Sequence, residues 1–245
     1  MKWIILAAGN GTRLGELTRD CPKPLIIIHD RPMICLPLER MVRAGITDIG
    51  IVIPPRFRGQ FEDFFWNQNN TLWAHITLIE QTEALGMAHA VNMAREFVWS
   101  DSCIVLAGDS VNSFDFTDAV RNFQKGANIF ARREPNLTIQ KASGVVEIDD
   151  TGKVIRITEK PEIPASDLLQ IGGGIYDSTL FDRIEKLQPS ARGEYEITGV
   201  HTSYIETGDI VCTDMGGTYY NNVTYPVDVE NASEWLRENS SIFES

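Results

Sequence analysis

The stretch Leu6-Ala7-Ala8-Gly9-Asn10-Gly11-Thr12-Arg13-Leu14 decides how this chain reads. It closes an apolar run, Trp3 to Ala8, of the kind that forms a buried strand, and then sets Gly9 and Gly11 where the backbone must turn. Two residues without a β-carbon let the N–H groups of such a turn approach a ligand closely, and a row of amides favours a phosphate. A tight structural turn is the plain alternative. Gly9, Gly11 and Gly15 also satisfy a loose dinucleotide-binding pattern, with Asp30 after the apolar run Leu25 to Ile28 as its ribose ligand. That pattern needs a helix rising from the loop, whereas Thr12 to Pro24 carries Pro22 and Pro24 and no apolar helical face. A P-loop fails as well, because no Gly-Lys-Ser/Thr follows. Two cations strengthen the phosphate reading: Arg13 within the loop, and Lys23 ten residues on, stiffened between two prolines.

Outward from the loop, Trp3 to Ala8, Ile46 to Ile53, His75 to Glu80 and Cys103 to Leu106 read as strands. Between them Ile34, Leu38, Met41 and Val42 mark one helical face, and Met87, Ala90, Val91 and Ala94 another. Pro37 is expected to kink or locally loosen the first of these helices. The alternation predicts an α/β protein, a three-layer α/β/α Rossmann-like arrangement around a mixed, mainly parallel sheet. Gly144 to Ile148 and Val154 to Thr158, joined by Asp149-Asp150-Thr151-Gly152, predict an antiparallel extension, with Leu168 to Tyr176 as a further strand. Helices are expected near Ser178 to Lys186, Glu194 to Thr207 and Pro226 to Glu238. A single domain over residues 1–245 accommodates all of this.

Composition narrows the partners. With 34 acidic against 22 basic residues the formal charge is −12, so nucleic acid is not expected to bind, while a small phosphorylated ligand needs only amides and a few cations. The apolar runs are too short to span a bilayer and no secretory leader is evident, so neither membrane nor export is expected. Cys21, Cys35, Cys103 and Cys212 have no metal or disulfide spacing, which fits a reducing, cytoplasmic setting. The four histidines, His29, His75, His89 and His201, form no metal spacing either and read as packing or surface residues.

Leu6 to Leu14, then Cys21-Pro22-Lys23-Pro24-Leu25, then Arg31-Pro32-Met33-Ile34 resemble the opening of the sugar-1-phosphate nucleotidyltransferases, a family that includes thymidylyl- and uridylyltransferases. The likeness continues through Gln81 with Leu85-Gly86-Met87-Ala88-His89-Ala90, Gly108-Asp109, Glu159-Lys160-Pro161, and Pro189-Ser190-Ala191-Arg192-Gly193-Glu194 with Glu196-Ile197-Thr198. Only the last dozen residues fall outside it. The resemblance implies that Leu6, Ala7, Ala8, Gly9, Gly11, Thr12 and Arg13 hold a triphosphate, that Lys23 reaches the reacting phosphate, and that Gln81 and Gly86 meet the base. It implies a sugar-phosphate set of Gly144, Glu159, Lys160, Gly174, Tyr176, Arg192 and Glu194. Asp109, just past a strand end, and Asn222 are implied as ligands of Mg2+.

The reaction so implied condenses a nucleoside triphosphate, dTTP or UTP, with a sugar 1-phosphate such as glucose 1-phosphate. The nucleophile is an already ionised phosphate oxygen, so no enzyme base is needed; Arg13, Lys23 and Asp109 position the anions and balance charge. Arg192 to Thr198 leans toward thymidylyl transfer, and Ala8, Leu85 to Ala90 and Asn222 toward uridylyl transfer. A non-catalytic binding protein on the same fold and a cytidylyltransferase are the alternatives, and oligomeric state is open between monomer and homo-oligomer.

Overall fold

A computed structural model describes residues 1–67 and 74–239. Contacts gather the chain into two compact units. The first comprises Lys2–Ala84, Ala107–Thr117 and Thr218–Ser245, and the second Leu85–Leu106 and Asp118–Gly217 with Met1.

In the first unit, strand Lys2–Leu6 runs parallel to Asp48–Ile53, with Ile4 opposite Gly50, and Asp48–Ile53 runs parallel to His75–Glu80. Ile49, Ile51, Val52 and Ile53 are all buried, the continuous apolar run that a strand covered on both faces requires. The strand was expected from Ile46, but Gly45 at φ 83° ends the preceding helix, and the Ile46 N–H caps it on the Met41 carbonyl. That helix, Cys35–Arg43, is uninterrupted at Pro37. The expected kink is absent because Pro37 lies in the first turn, where its missing N–H has no intrahelical acceptor to lose.

After the first strand the chain forms 3-10 turns over Thr12–Thr18, broken at Gly15, and over Lys23–Leu25. No α-helix rises from the glycine loop, which disposes of the dinucleotide alternative. Beneath these turns Leu14, Ile26, Ile28, Met33, Leu36, Val111, Val223, Ala232 and Leu236 form one buried cluster, with Tyr219 and Trp235 packed on it. Those two rings lie 4.1 Å apart and nearly parallel. This cluster positions the site, since Leu14 adjoins Arg13, Val111 lies two residues from Asp109, and Val223 adjoins Asn222.

The second unit is organised on Leu168–Tyr176. This strand is antiparallel to Ala127–Arg133, to Cys103–Ala107 and, at Leu169 opposite Val145, to Gly144–Ile148, which forms the expected hairpin with Val154–Glu159. A bulge between Gln170 and Gly174 displaces the register. The Ala127–Arg133 strand and its parallel partner Ile210–Asp214 escaped the sequence reading. Ala127–Arg133 is buried at five successive positions and has no period-two alternation to betray it.

Candidate functional site

The glycine loop is held from one side and open on the other. Gly11 adopts φ 61°, and a β-carbon there would stand 2.8 Å from Thr18 Cγ2. The Thr18 hydroxyl and the Leu14 N–H each donate to the Gly11 carbonyl at 2.9 Å. Gly9 is exposed with nothing within 4 Å of where its β-carbon would be. Among the described residues, the N–H groups of residues 9–13 have no acceptor, and exposed Arg13 has no ion-pair partner. Leu6 and Ala7 are tied into the scaffold: the Leu6 carbonyl accepts from Gly108 at 2.9 Å, and the Ala7 N–H donates to Val52 at 2.8 Å. The free amides begin only beyond them.

Lys23 is 8% exposed, and its Nζ lies 2.5 Å from Asp109 Oδ2. Gly108 precedes Asp109 for a packing reason, because a β-carbon there would stand 2.8 Å from Ile5 Cγ2. The ladder of Ser110–Asn112 with Tyr220–Asn222 sets Asn222 opposite Ser110, and the Val223 N–H donates to the Asp109 carbonyl at 3.1 Å. Lys23, Asp109 and Asn222, spread over two hundred residues of chain, are thereby neighbours. A carboxylate just ahead of one strand and an amide oxygen on its partner suit a hard cation that takes its other ligands from phosphate and water. Among the described residues no group of three or more His, Cys, Asp or Glu forms a metal cluster. Gln81, 7% exposed, follows the His75–Glu80 strand in the same unit, its N–H on the Ile53 carbonyl.

The second unit brings together three other motifs. Gly86 adopts φ 99°, and a β-carbon there would lie 2.7 Å from the Tyr195 carbonyl oxygen. Tyr195 N–H donates to Leu85, and Ala88 N–H to Tyr195, at 2.8 and 3.0 Å. The glycine at 86 thus allows the close approach of Tyr195. Gly172, at φ 75° in the bulge, lies against Met87. Arg192 Nη2 is 2.6 Å from Glu196, 3.6 Å from Glu159 and 3.8 Å from Glu194; Lys160 Nζ is 3.5 Å from Glu159. Burial pushes the Glu159 carboxyl above its ordinary range, an effect Lys160 opposes and the Glu196 charge reinforces.

Of the expected sugar set, Tyr176 turns into the core, while Gly144 and Gly174 lie against neighbouring protein atoms. Tyr176 is fully buried, its hydroxyl 2.7 Å from His201 Nε2, so it presents nothing to a ligand. A β-carbon on Gly174 would meet the Asn128 carbonyl at 2.8 Å, and one on Gly144 would meet the Gln170 side chain. Both glycines accommodate neighbouring protein atoms. Strand alternation could not reveal this, because the bulge before Gly174 resets which positions face outward. Glu196 and Ser190, by contrast, lay in a quoted motif without a role; the spacing of Arg192 and Glu196 was the available signal.

An amide-rich loop with a paired lysine and aspartate thus lies in one unit, and a carboxylate–arginine cluster in the other. The chain matches the nucleotidyl transferase family over residues 2–236 and belongs to the sugar-1-phosphate nucleotidyltransferases. It is 31% identical to a low-salt glycan biosynthesis nucleotidyltransferase of Haloferax volcanii, over 99% of this chain and 68% of that one. It is 32% identical to a glucose-1-phosphate thymidylyltransferase of Streptomyces antibioticus, over 100% of this chain and 67% of that one. A Bacillus anthracis crystal structure assigned as a glucose-1-phosphate thymidylyltransferase, in complex with a sucrose, superposes with TM-score 0.89 at 31% identity, covering 97% and 96% of the two chains. A UDP-glucose pyrophosphorylase bound to UDP-glucose, at 20% identity and TM-score 0.85 over 97% and 98%, shares the fold. The expected mixed α/β class with its antiparallel extension is the observed one.

Proposed function

We propose that this nucleotidyltransferase condenses dTTP, with UTP as the second nucleotide tested, and glucose 1-phosphate into a nucleoside diphosphate sugar and pyrophosphate, with Mg2+ as cofactor. The observation that carries the reading is the row of unpartnered amides at residues 9–13, in the same unit as the Lys23–Asp109 pair. In this reading the loop amides and Arg13 receive the triphosphate oxygens, and Lys23 supplies positive charge at the phosphorus under attack. A phosphate oxygen of the sugar phosphate bonds to the α-phosphorus as the bond to pyrophosphate breaks. Asp109 and Asn222 would hold Mg2+, which when bound would supply charge neutralisation on the triphosphate. Gln81 offers both a donor and an acceptor to a pyrimidine edge. Arg192 and Lys160 pair with the sugar phosphate, while Glu159 and Glu194 accept from sugar hydroxyls. Relatives named as glucose-1-phosphate thymidylyltransferases support the order of nucleotides. Four free thiols suit a reducing, cytoplasmic setting.

The test is a matrix of dTTP, UTP, CTP, ATP and GTP against common sugar 1-phosphates, with and without Mg2+, read by pyrophosphate release. The expected maximum is dTTP with glucose 1-phosphate, abolished by a chelator. Purified protein that releases no pyrophosphate in any cell of the matrix would refute the reading.

A further inference from the structure

Arg192 stands among three carboxylates, and only one of them lies within hydrogen-bond range. Nη2 is 2.6 Å from Glu196 Oε1, while Glu159 at 3.6 Å and Glu194 at 3.8 Å are Coulombic neighbours. The same Glu196 oxygen accepts from the Ser190 hydroxyl at 3.0 Å, so its rotamer is fixed from a second direction. The Glu196 side chain is 16% exposed against 40% for Arg192. The carboxylate is therefore the sheltered partner and the guanidinium the presented one.

The backbone makes this arrangement. Gly193 at φ 76° turns the chain, and the turn is closed by Gly193 N–H on the Ser190 carbonyl and Ser190 N–H on the Glu194 carbonyl, both at 2.8 Å. Helix Ile197–Thr207 begins at once, with Glu196 as its N-cap, although the Glu196 side chain makes no capping bond. A carboxylate at an N-cap that does not cap is committed elsewhere, to Arg192 and Ser190. Left without Glu196, Arg192 would be drawn onto Glu159, and that carboxylate would be neutralised by a full ion pair rather than kept at 3.6 Å.

We infer that Glu196 is a positioning residue: it clamps Arg192, with Ser190 as a brace, so that the guanidinium faces the sugar phosphate and Glu159 stays open to the sugar hydroxyls. The inference rests on the sugar-phosphate reading proposed above. It makes Glu196 act through Arg192 and not on substrate.

A double-mutant cycle combined with NMR of the labelled Arg192 guanidinium tests it. Glu196→Gln keeps the shape and the contact with Ser190 while removing the charge. The expected result is a KM for glucose 1-phosphate raised about tenfold, ~1.4 kcal/mol, with KM for the nucleotide unchanged and the slowly rotating Arg192 signal lost. Glu196→Asp restores part of both. In an Arg192→Met background Glu196→Gln adds nothing, because the clamp has nothing left to hold. Equal effects in both backgrounds, or an Arg192 signal indifferent to Glu196→Gln, overturn the inference. If the wild type turns over no sugar phosphate while the Arg192 signal still depends on Glu196, the functional reading fails and the clamp stands.

Discussion

Gly9 and Gly11 share one loop and differ in what their missing β-carbons make room for. Gly11 needs its glycine for folding, because φ 61° and the Thr18 methyl at 2.8 Å leave an L side chain no place. Gly9 has an ordinary φ and open space around it, so nothing in the fold asks for glycine there. Gly9→Ala is accordingly expected to leave the melting temperature unchanged while weakening triphosphate binding about tenfold or more, because the added methyl stands where phosphate oxygens approach the free amides. Calorimetric titration with dTTP beside a thermal melt separates the two effects; undiminished affinity would remove the loop from the nucleotide site. The sequence alone gave the two glycines the same role. Their difference lies in Thr18 and Lys23, which fold back on Gly11 only in three dimensions.

At the scale of elements, the second unit is laced by backbone bonds between residues 85–88 and Tyr195, segments far apart in sequence. Gly86 is the closest point of approach. Gly86→Ala combines φ 99° with a contact 2.7 Å from the Tyr195 carbonyl, and is expected to cost about 2 kcal/mol. For a chain of this size that lowers the melting temperature by roughly 4–8 °C. The matching kinetic expectation is a raised KM for the sugar phosphate, since Tyr195 lies between Glu194 and Glu196 on the displaced segment. A melt within 1 °C of wild type would mean that these segments yield freely to one another. The stiffness around Lys23 was legible at this scale because Pro22 and Pro24 restrict φ locally, whereas the 3-10 turn Lys23–Leu25 was not read from the sequence. The bulge in Leu168–Tyr176 was not legible, because three successive glycines state flexibility without stating which residues turn outward.

For the molecule as a whole, the fully buried His201 sets a pH response. Burial holds its pKa down to about 3, against about 6.5 for an exposed histidine, and among the described residues its Nδ1 has no hydrogen-bond partner. Between those two pKa values the unfolded chain binds a proton that the folded chain refuses. The contribution is therefore complete above pH 6.5 and falls by about 1.4 kcal/mol per pH unit on acidification toward pH 3. Thermal melts between pH 7 and 4 are expected to fall more steeply for wild type than for His201→Gln. Parallel slopes would show that His201 does not carry the acid sensitivity.

What the sequence by itself determined was local or periodic. The strand entering a glycine loop, the proline-braced lysine, the hairpin over residues 144–159 and the final helix Pro226–Glu238 follow from φ restrictions, turn chemistry and apolar spacing that operate within a few residues. Tertiary structure decided which charges meet and which residues of a strand are sealed. Lys23 finds Asp109 across 86 positions, Tyr176 turns into the core toward His201, and Asn222 comes beside Asp109 through a three-residue ladder. Strand pairing and burial depend on partners remote along the chain, and no local rule specifies which partner closes on which.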